Sequence, residues 1–136
     1  MSDNPPIVLC VDDGSDDQLM VSETIMGLEP SIIVAKAFNG LEALQYLNTS
    51  INEVKMPCLI IMDINMPLLD GKQTLVRIKK DERLKKIPVV MFTTSDSILD
   101  KTFCDQWGVE FMTKPVKQND LRHIVEKLLT FCSESK

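Results

Sequence analysis

The stretch Cys58 to Gly71, CLIIMDINMPLLDG, decides the fold. Its apolar run, Leu59 to Met62, ends on a single carboxylate, Asp63, and the chain then turns through Asn65, Pro67 and the pair Asp70-Gly71. A run this short and apolar throughout reads as a strand covered on both faces, as in a parallel sheet flanked by helices. Asp63 then stands at the carboxyl end of that strand, the edge of an open α/β sheet where ligands bind. It is a candidate reactive group.

Upstream, Ile7 to Val11 (IVLCV) is a second continuous apolar run, closed by Asp12-Asp13-Gly14. Ser15 and Gln18 have the spacing of a capping box for the next helix, and Asp16 and Asp17 suit the positive end of its dipole. Leu19, Met20, Ile25, Met26 and Leu28 supply its apolar face, and Glu29-Pro30 stops it. Ser31 to Ala37 is a strand whose more polar end places it nearer a sheet edge. Asn39-Gly40 breaks that strand, Leu41, Leu44, Tyr46 and Leu47 recur at helical spacing, and Asn48 to Pro57 reads as a polar connection.

Downstream, Gly71 to about Lys80 predicts a helix with Leu75 and Ile78 inward, and Pro88 to Thr93 a strand. Ser97 to about Trp107 predicts a helix stopped by Gly108. Val109 to Thr113 is a short strand meeting Lys114-Pro115, and a last helix from about Asn119 to Phe131 buries Leu121, Ile124, Val125, Leu128 and Leu129. Strands alternating with helices through short loops predict an α/β fold, a doubly wound five-stranded parallel sheet with five helices. With 136 residues, the expectation is a single domain over 1–136 with no output domain after it.

The net charge of −5 and the lack of any basic block argue against a nucleic-acid partner. No apolar stretch has the length of a membrane span or a signal peptide, so the protein is expected to be cytoplasmic, with no membrane partner. Cys10, Cys58, Cys104 and Cys132 lie far apart without Cys-x-x-Cys spacing, and they are expected to be reduced and buried. His123, the only histidine, reads as a surface residue of the last helix, Trp107 as packing, and the charges from Lys79 to Lys86 as a solvated face.

If the first and third strands pair, they lie about 4.8 Å apart, and Asp12, Asp13 and Asp63 converge. Two like charges about 4 Å apart repel by roughly 4 kcal/mol at an effective dielectric of about 20, so such a cluster calls for protons or a cation. Oxygen-only ligands favour Mg²⁺ or Mn²⁺ over Zn²⁺, with Mg²⁺ the better fit where waters and a phosphate complete the shell. Taken singly, an acid after a strand is more often a helix cap, which suits Asp16 and Asp17.

These residues resemble the receiver domain of two-component response regulators, from about Pro5 to Thr130. The resemblance is carried by Asp12-Asp13 after the first strand, Asp63 in MDINMPLLDG, Thr93 closing the fourth strand, and Lys114-Pro115 after the fifth. It implies the flavodoxin-like strand order 2-1-3-4-5. It implies Asp63 as phosphoacceptor, taking a phosphoryl group from a sensor histidine kinase, a histidine phosphotransfer protein or a small phosphodonor. Mg²⁺ would be held by Asp13, Asp63 and the backbone carbonyl of Asn65, with Asp12 acting through a water. Lys114, aimed by a cis Lys114-Pro115 bond, would neutralise phosphoryl oxygens, Thr93 would sense the product, and Phe111 stands at the switch position where Tyr is frequent. A lone aromatic in a strand is otherwise ordinary core. The signal would leave through altered binding of a downstream protein at the face of the fourth helix, fifth strand and fifth helix.

The sequence departs from the family pattern at Gly14, where a larger residue is common, and at Thr94, where Ala is usual. Asn65 and Ser95 occupy positions that modulate dephosphorylation. Other readings are a receiver fold that binds partners without phosphorylation and an aspartyl-phosphate phosphatase. The phosphatase needs a second acid two residues beyond the nucleophile, and Asn65 stands there. An FMN carrier of the same topology is disfavoured because Asp12-Asp13 would repel its phosphate.

Overall fold

Apolar runs far apart in the chain lie side by side in one parallel sheet, and their register sets the site. The structure, a computed structural model, describes residues 5–53 and 55–134. The elements in order are β1 (Ile7–Val11), α1 (Ser15–Leu28), β2 (Ile33–Ala37), α2 (Gly40–Glu53), β3 (Leu59–Met62), α3 (Gly71–Lys80), β4 (Val89–Thr93), α4 (Ile98–Trp107), β5 (Glu110–Thr113) and α5 (Gln118–Glu134). The strands run β2-β1-β3-β4-β5, every adjacent pair parallel. This is the doubly wound order expected, with β2 at an edge as its polar end suggested.

Side chains alternate across a strand, so each central strand feeds two cores. Leu9, Val11, Ile60 and Met62 point to one face and pack with Ala43 and Leu47 of α2 and Leu75 and Ile78 of α3. Val8, Cys10, Leu59 and Ile61 point to the other and pack with Val21 and Ile25 of α1 and Leu121, Val125 and Leu128 of α5. Each fully buried Leu or Ile stabilises the fold by about 1.5–3 kcal/mol, which is why β1 and β3 carry no polar residue. Truncating Ile60 to Ala, at the centre of this packing, would cost about 2–5 kcal/mol.

Several helices differ from expectation. Gly14, not Ser15, is the N-cap of α1, and no side chain caps it. Gln18 instead turns inward, its Nε2 donating to the carbonyls of Cys10 (2.9 Å), Asp12 (3.2 Å) and Ala37 (2.8 Å) where β1 and β2 end. That choice sets the phase of α1, burying Gln18, Val21, Ser22 and Ile25 and leaving Leu19, Met20 and Met26 exposed. The segment after Leu47, read as a connection, continues α2 to Glu53. Ser50 is buried there and Ile51 packs on the core, continuing the helical spacing from Ala43 and Leu47. The start of α3 follows the sequence closely, with a capping box between Asp70 and Gln73.

The cysteines are a further correction. Cys58 and Cys132 form a disulfide, and only Cys10 and Cys104 are free and buried. The start of β3 and the end of α5 bring their Cα atoms to 4.8 Å, within reach of a bridge that 74 residues of sequence conceal.

Candidate functional site

Val11 pairs with Met62, so the next residue on each strand, Asp12 and Asp63, emerges at the same level of the sheet edge. The backbone holds both there: Asp12 N donates to Ala37 O at 3.0 Å and Asp63 N to Val11 O at 2.9 Å. Both acids are nearly buried, whereas Asp13 is exposed. One carboxylate oxygen from each of Asp12, Asp13 and Asp63 lies within 4.8 Å of the others. The donor set is oxygen alone, and the crowding of three acids fits a hard divalent cation such as Mg²⁺ or Mn²⁺.

Lys114 enters from the end of β5. Its backbone N–H donates to Thr93 O at 2.8 Å, and its Nζ donates to Asp12 Oδ2, to Asp17 Oδ2 at 2.9 Å and to Asp63 Oδ2 at 3.2 Å. The described residues contain no cis peptide bond, so the Lys114-Pro115 bond is trans, the form X-Pro bonds favour by about 0.5–1 kcal/mol. The β4 hydrogen bond, together with the three acids, aims the lysine without the expected cis bond. Burial alone would push the Lys114 ammonium down, but the hydrogen bonds to Asp12 and Asp17 and the charges of Asp63 and Asp12 hold its pKa above the ordinary lysine value. Burial pushes the Asp12 carboxyl up, more than the hydrogen bonds from Lys114 and Gly14 pull it down.

The remaining oxygens of the two buried acids are also fixed. Gly14 N donates to Asp12 Oδ1 at 2.9 Å, and Ile64 N to Asp63 Oδ1 at 2.7 Å. Behind Asp63 the packing leaves no slack: a Cβ on Gly71 would lie 2.3 Å from Asp63 O and 2.8 Å from Ile64 Cα. A small cavity of about 10 Å³, lined by Asp12, Asp17, Gln18 and Asp63 among others, has room for about one water. Gln18 Oε1 is the one buried side-chain polar atom without a partner among the described residues.

Thr93 is fully buried, and its Oγ1 accepts from Ser95 N at 3.2 Å. Ser95 Oγ donates to Asp100 Oδ2 at 2.6 Å, and Asp100 Oδ1 meets Lys72 Nζ of α3 at 2.5 Å. Thr93 is thereby linked through the loop after β4 to both α3 and α4. Phe111 packs on the core beside α4, with Lys101 Nζ 5.9 Å from its ring centroid. Asn65 is exposed in the loop two residues past Asp63, and His123 is exposed on α5.

The structure thus brings Asp12, Asp13, Asp63 and Lys114 together, with Thr93 bonded to Lys114 through its backbone. Phe111 and the Asn65 side chain stand outside this contact. Sequence reading assigned Asp17 only to the helix dipole. Its contact with Lys114 had no sequence signal, because the two residues are 97 positions apart. The bond from Ser95 to Asp100 had no sequence signal, because it depends on how α4 sits.

Fold and site together define a CheY-like signalling domain. Residues 8–126 match the family model described as the response regulator receiver domain, and the chain belongs to that family of two-component signalling proteins. The chain is 32% identical over 143 residues to the response regulator Rcp1 of Synechocystis sp., covering 99% of this chain and 96% of that protein. It is also 32% identical over 126 residues to the two-component response regulator ORR11 of Oryza sativa, covering 92% of this chain and 82% of the relative. Among solved structures it superimposes on the phosphorylated cyanobacterial phytochrome response regulator RcpA with a TM-score of 0.87 at 28% identity, covering 97% of this chain and 96% of that one. The Mn²⁺-bound form of Rcp1 gives a TM-score of 0.83 at 30% identity, covering 93% of this chain and 94% of that one.

Proposed function

We propose that this chain is a receiver that accepts a phosphoryl group on Asp63. The donor would be the phosphohistidine of a sensor histidine kinase or a histidine phosphotransfer protein in the cytoplasm. The observation that carries the reading is the contact of Asp63 Oδ2 with Lys114 Nζ at 3.2 Å, inside a cluster of three carboxylates. In the transfer, an Asp63 carboxylate oxygen bonds to phosphorus while the phosphorus–nitrogen bond breaks, its electron pair staying on the imidazole. Lys114 compensates negative charge on the phosphoryl oxygens, a role suited to an ammonium held above its ordinary pKa. Asp12, Asp13 and Asp63, with the backbone carbonyl of Asn65, would hold Mg²⁺, or Mn²⁺ in its place. When bound, such a cation neutralises charge at the reacting centre and orients the oxygens for in-line displacement.

Thr93 would report the product. Its oxygen accepts from Ser95 N, so its hydroxyl proton is free to donate to a phosphoryl oxygen. Movement of Thr93 would strain the Ser95–Asp100 bond and reach α4, and Phe111 would follow into the space vacated. The output would be altered binding of a downstream protein, with no chemistry beyond the gain and loss of this phosphoryl group.

Incubation with Mg²⁺ and acetyl phosphate followed by intact mass measurement tests the reading. The wild type gains one phosphoryl group and Asp63→Asn gains none. An adduct that survives the substitution would place the chemistry elsewhere.

A further inference from the structure

Asp17 lies in the first turn of α1, where an acid already has a structural reason in the amide dipoles of the helix N-terminus. Its carboxylate has a second partner. Oδ2 accepts from Lys114 Nζ at 2.9 Å in the same three-way contact that includes Asp12 and Asp63. The three acids are not equivalent, since the side chains of Asp12 and Asp63 are 13% and 11% exposed and that of Asp17 is 49% exposed. Asp17 therefore holds the lysine from the solvent side. It reaches over Gly14, where a Cβ would lie 3.4 Å from Asp12 Oδ1, 3.6 Å from Asp17 Oδ2 and 3.7 Å from Asp17 Cβ. These are ordinary van der Waals distances, so the loop sets Asp17 beside Asp12 without crowding.

An ammonium has three protons to donate, and here each meets a carboxylate. If Asp63 is the phosphoacceptor, on which this inference rests, Asp12 and Asp63 have other work once cation and phosphoryl group arrive. Asp17 has none. We propose that Asp17 is a positioning residue that competes with the phosphoryl group for Lys114 and so sets how firmly the site retains it. The same carboxylate favours a divalent cation, because it adds negative charge and takes up Lys114 as Asp12 turns to the metal. Its removal therefore acts with opposite signs on the two ligands. A general loosening of the fold would weaken both.

Calorimetric titration of the whole chain distinguishes these cases, first with Mn²⁺ alone and then with beryllofluoride, a phosphoryl mimic, at saturating Mn²⁺. Asp17→Asn keeps the size and removes the charge; Asp17→Ser, equally suited to a first helical turn, replaces it if the first variant folds poorly. The expected result is a Mn²⁺ Kd raised about twofold to fivefold and a beryllofluoride Kd lowered about threefold to tenfold, the scale of one partly screened charge. Beryllofluoride affinity that is unchanged or weaker in a folded variant would overturn the Asp17 proposal alone. Wild-type protein that binds no beryllofluoride would overturn the phosphoacceptor reading, and the proposal with it.

Discussion

Lys114 Nζ stands 3.2 Å from Asp63 Oδ2, a contact that joins the end of β5 to the end of β3 across 51 positions of sequence. Both side chains are nearly out of water, with 10% and 11% exposure. Lys114→Met would leave the carboxylates of Asp12, Asp17 and Asp63 without this cation. Removing one partner of a buried ion pair costs roughly 3–5 kcal/mol, and the half-exposed Asp17 brings the expected loss to about 2–4 kcal/mol. Urea unfolding in EDTA measures it, and Mn²⁺ should recover part of the loss. An equal deficit with and without Mn²⁺ would argue against a cation site at these acids.

The glycines separate packing from propensity. Gly71→Ala should cost more than about 2 kcal/mol, because its Cβ would meet backbone atoms at 2.3 and 2.8 Å that cannot rotate away. Gly27→Ala in α1 meets nothing within 4 Å and should stabilise by about 0.5–1 kcal/mol. Thermal melts of the two variants should therefore shift in opposite directions.

Asp100 links loop and helix, and its contribution is pH-dependent. The hydrogen bond from Lys72, and then that from Ser95, hold its carboxyl below the usual carboxylate range. A group whose folded pKa is depressed contributes stability above its unfolded pKa, near about 4, and loses it as pH falls through the folded value. Asp100→Asn should then cost about 1 kcal/mol at pH 7, with the gap to wild type closing below about pH 4. A gap that persists at pH 2 would mean that shape, not charge, holds the contact.

Thiol labelling reads the cysteine state directly. Burial pushes the Cys10 thiol up to about 12 and is the largest cause lifting Cys104 to about 11, so neither supplies thiolate at pH 8. Native protein should resist iodoacetamide. Unfolded without reductant it should take two labels, at Cys10 and Cys104. Reduced and unfolded it should take four. Reduction of the Cys58–Cys132 bridge should also lower stability by about 2–4 kcal/mol.

The strands were legible because each central one is apolar on both faces, and the acids were legible because two such runs end in carboxylates. Strand order came from family resemblance, since pairing of β1 with β3 leaves no local mark. The phase of α1 was misread because Gln18, polar by type, is buried by three carbonyls that only the assembled sheet presents. The same distance hid the Cys58–Cys132 bridge, and the trans Lys114-Pro115 bond shows that a lysine can be aimed by neighbours that local sequence does not reveal. Asp17 had a sufficient local role, and that role masked its tertiary one.

The tight seat of Gly71 makes the two flanks of Asp63 unlike. With a backbone oxygen 2.3 Å from where a side chain would begin, no room is left behind Asp63, whereas the Thr93 hydroxyl is held by one 3.2 Å amide contact while its backbone stays in the sheet. A side chain displaced by a change at Asp63 would thus find less room on the α3 side than in the loop that leads to α4.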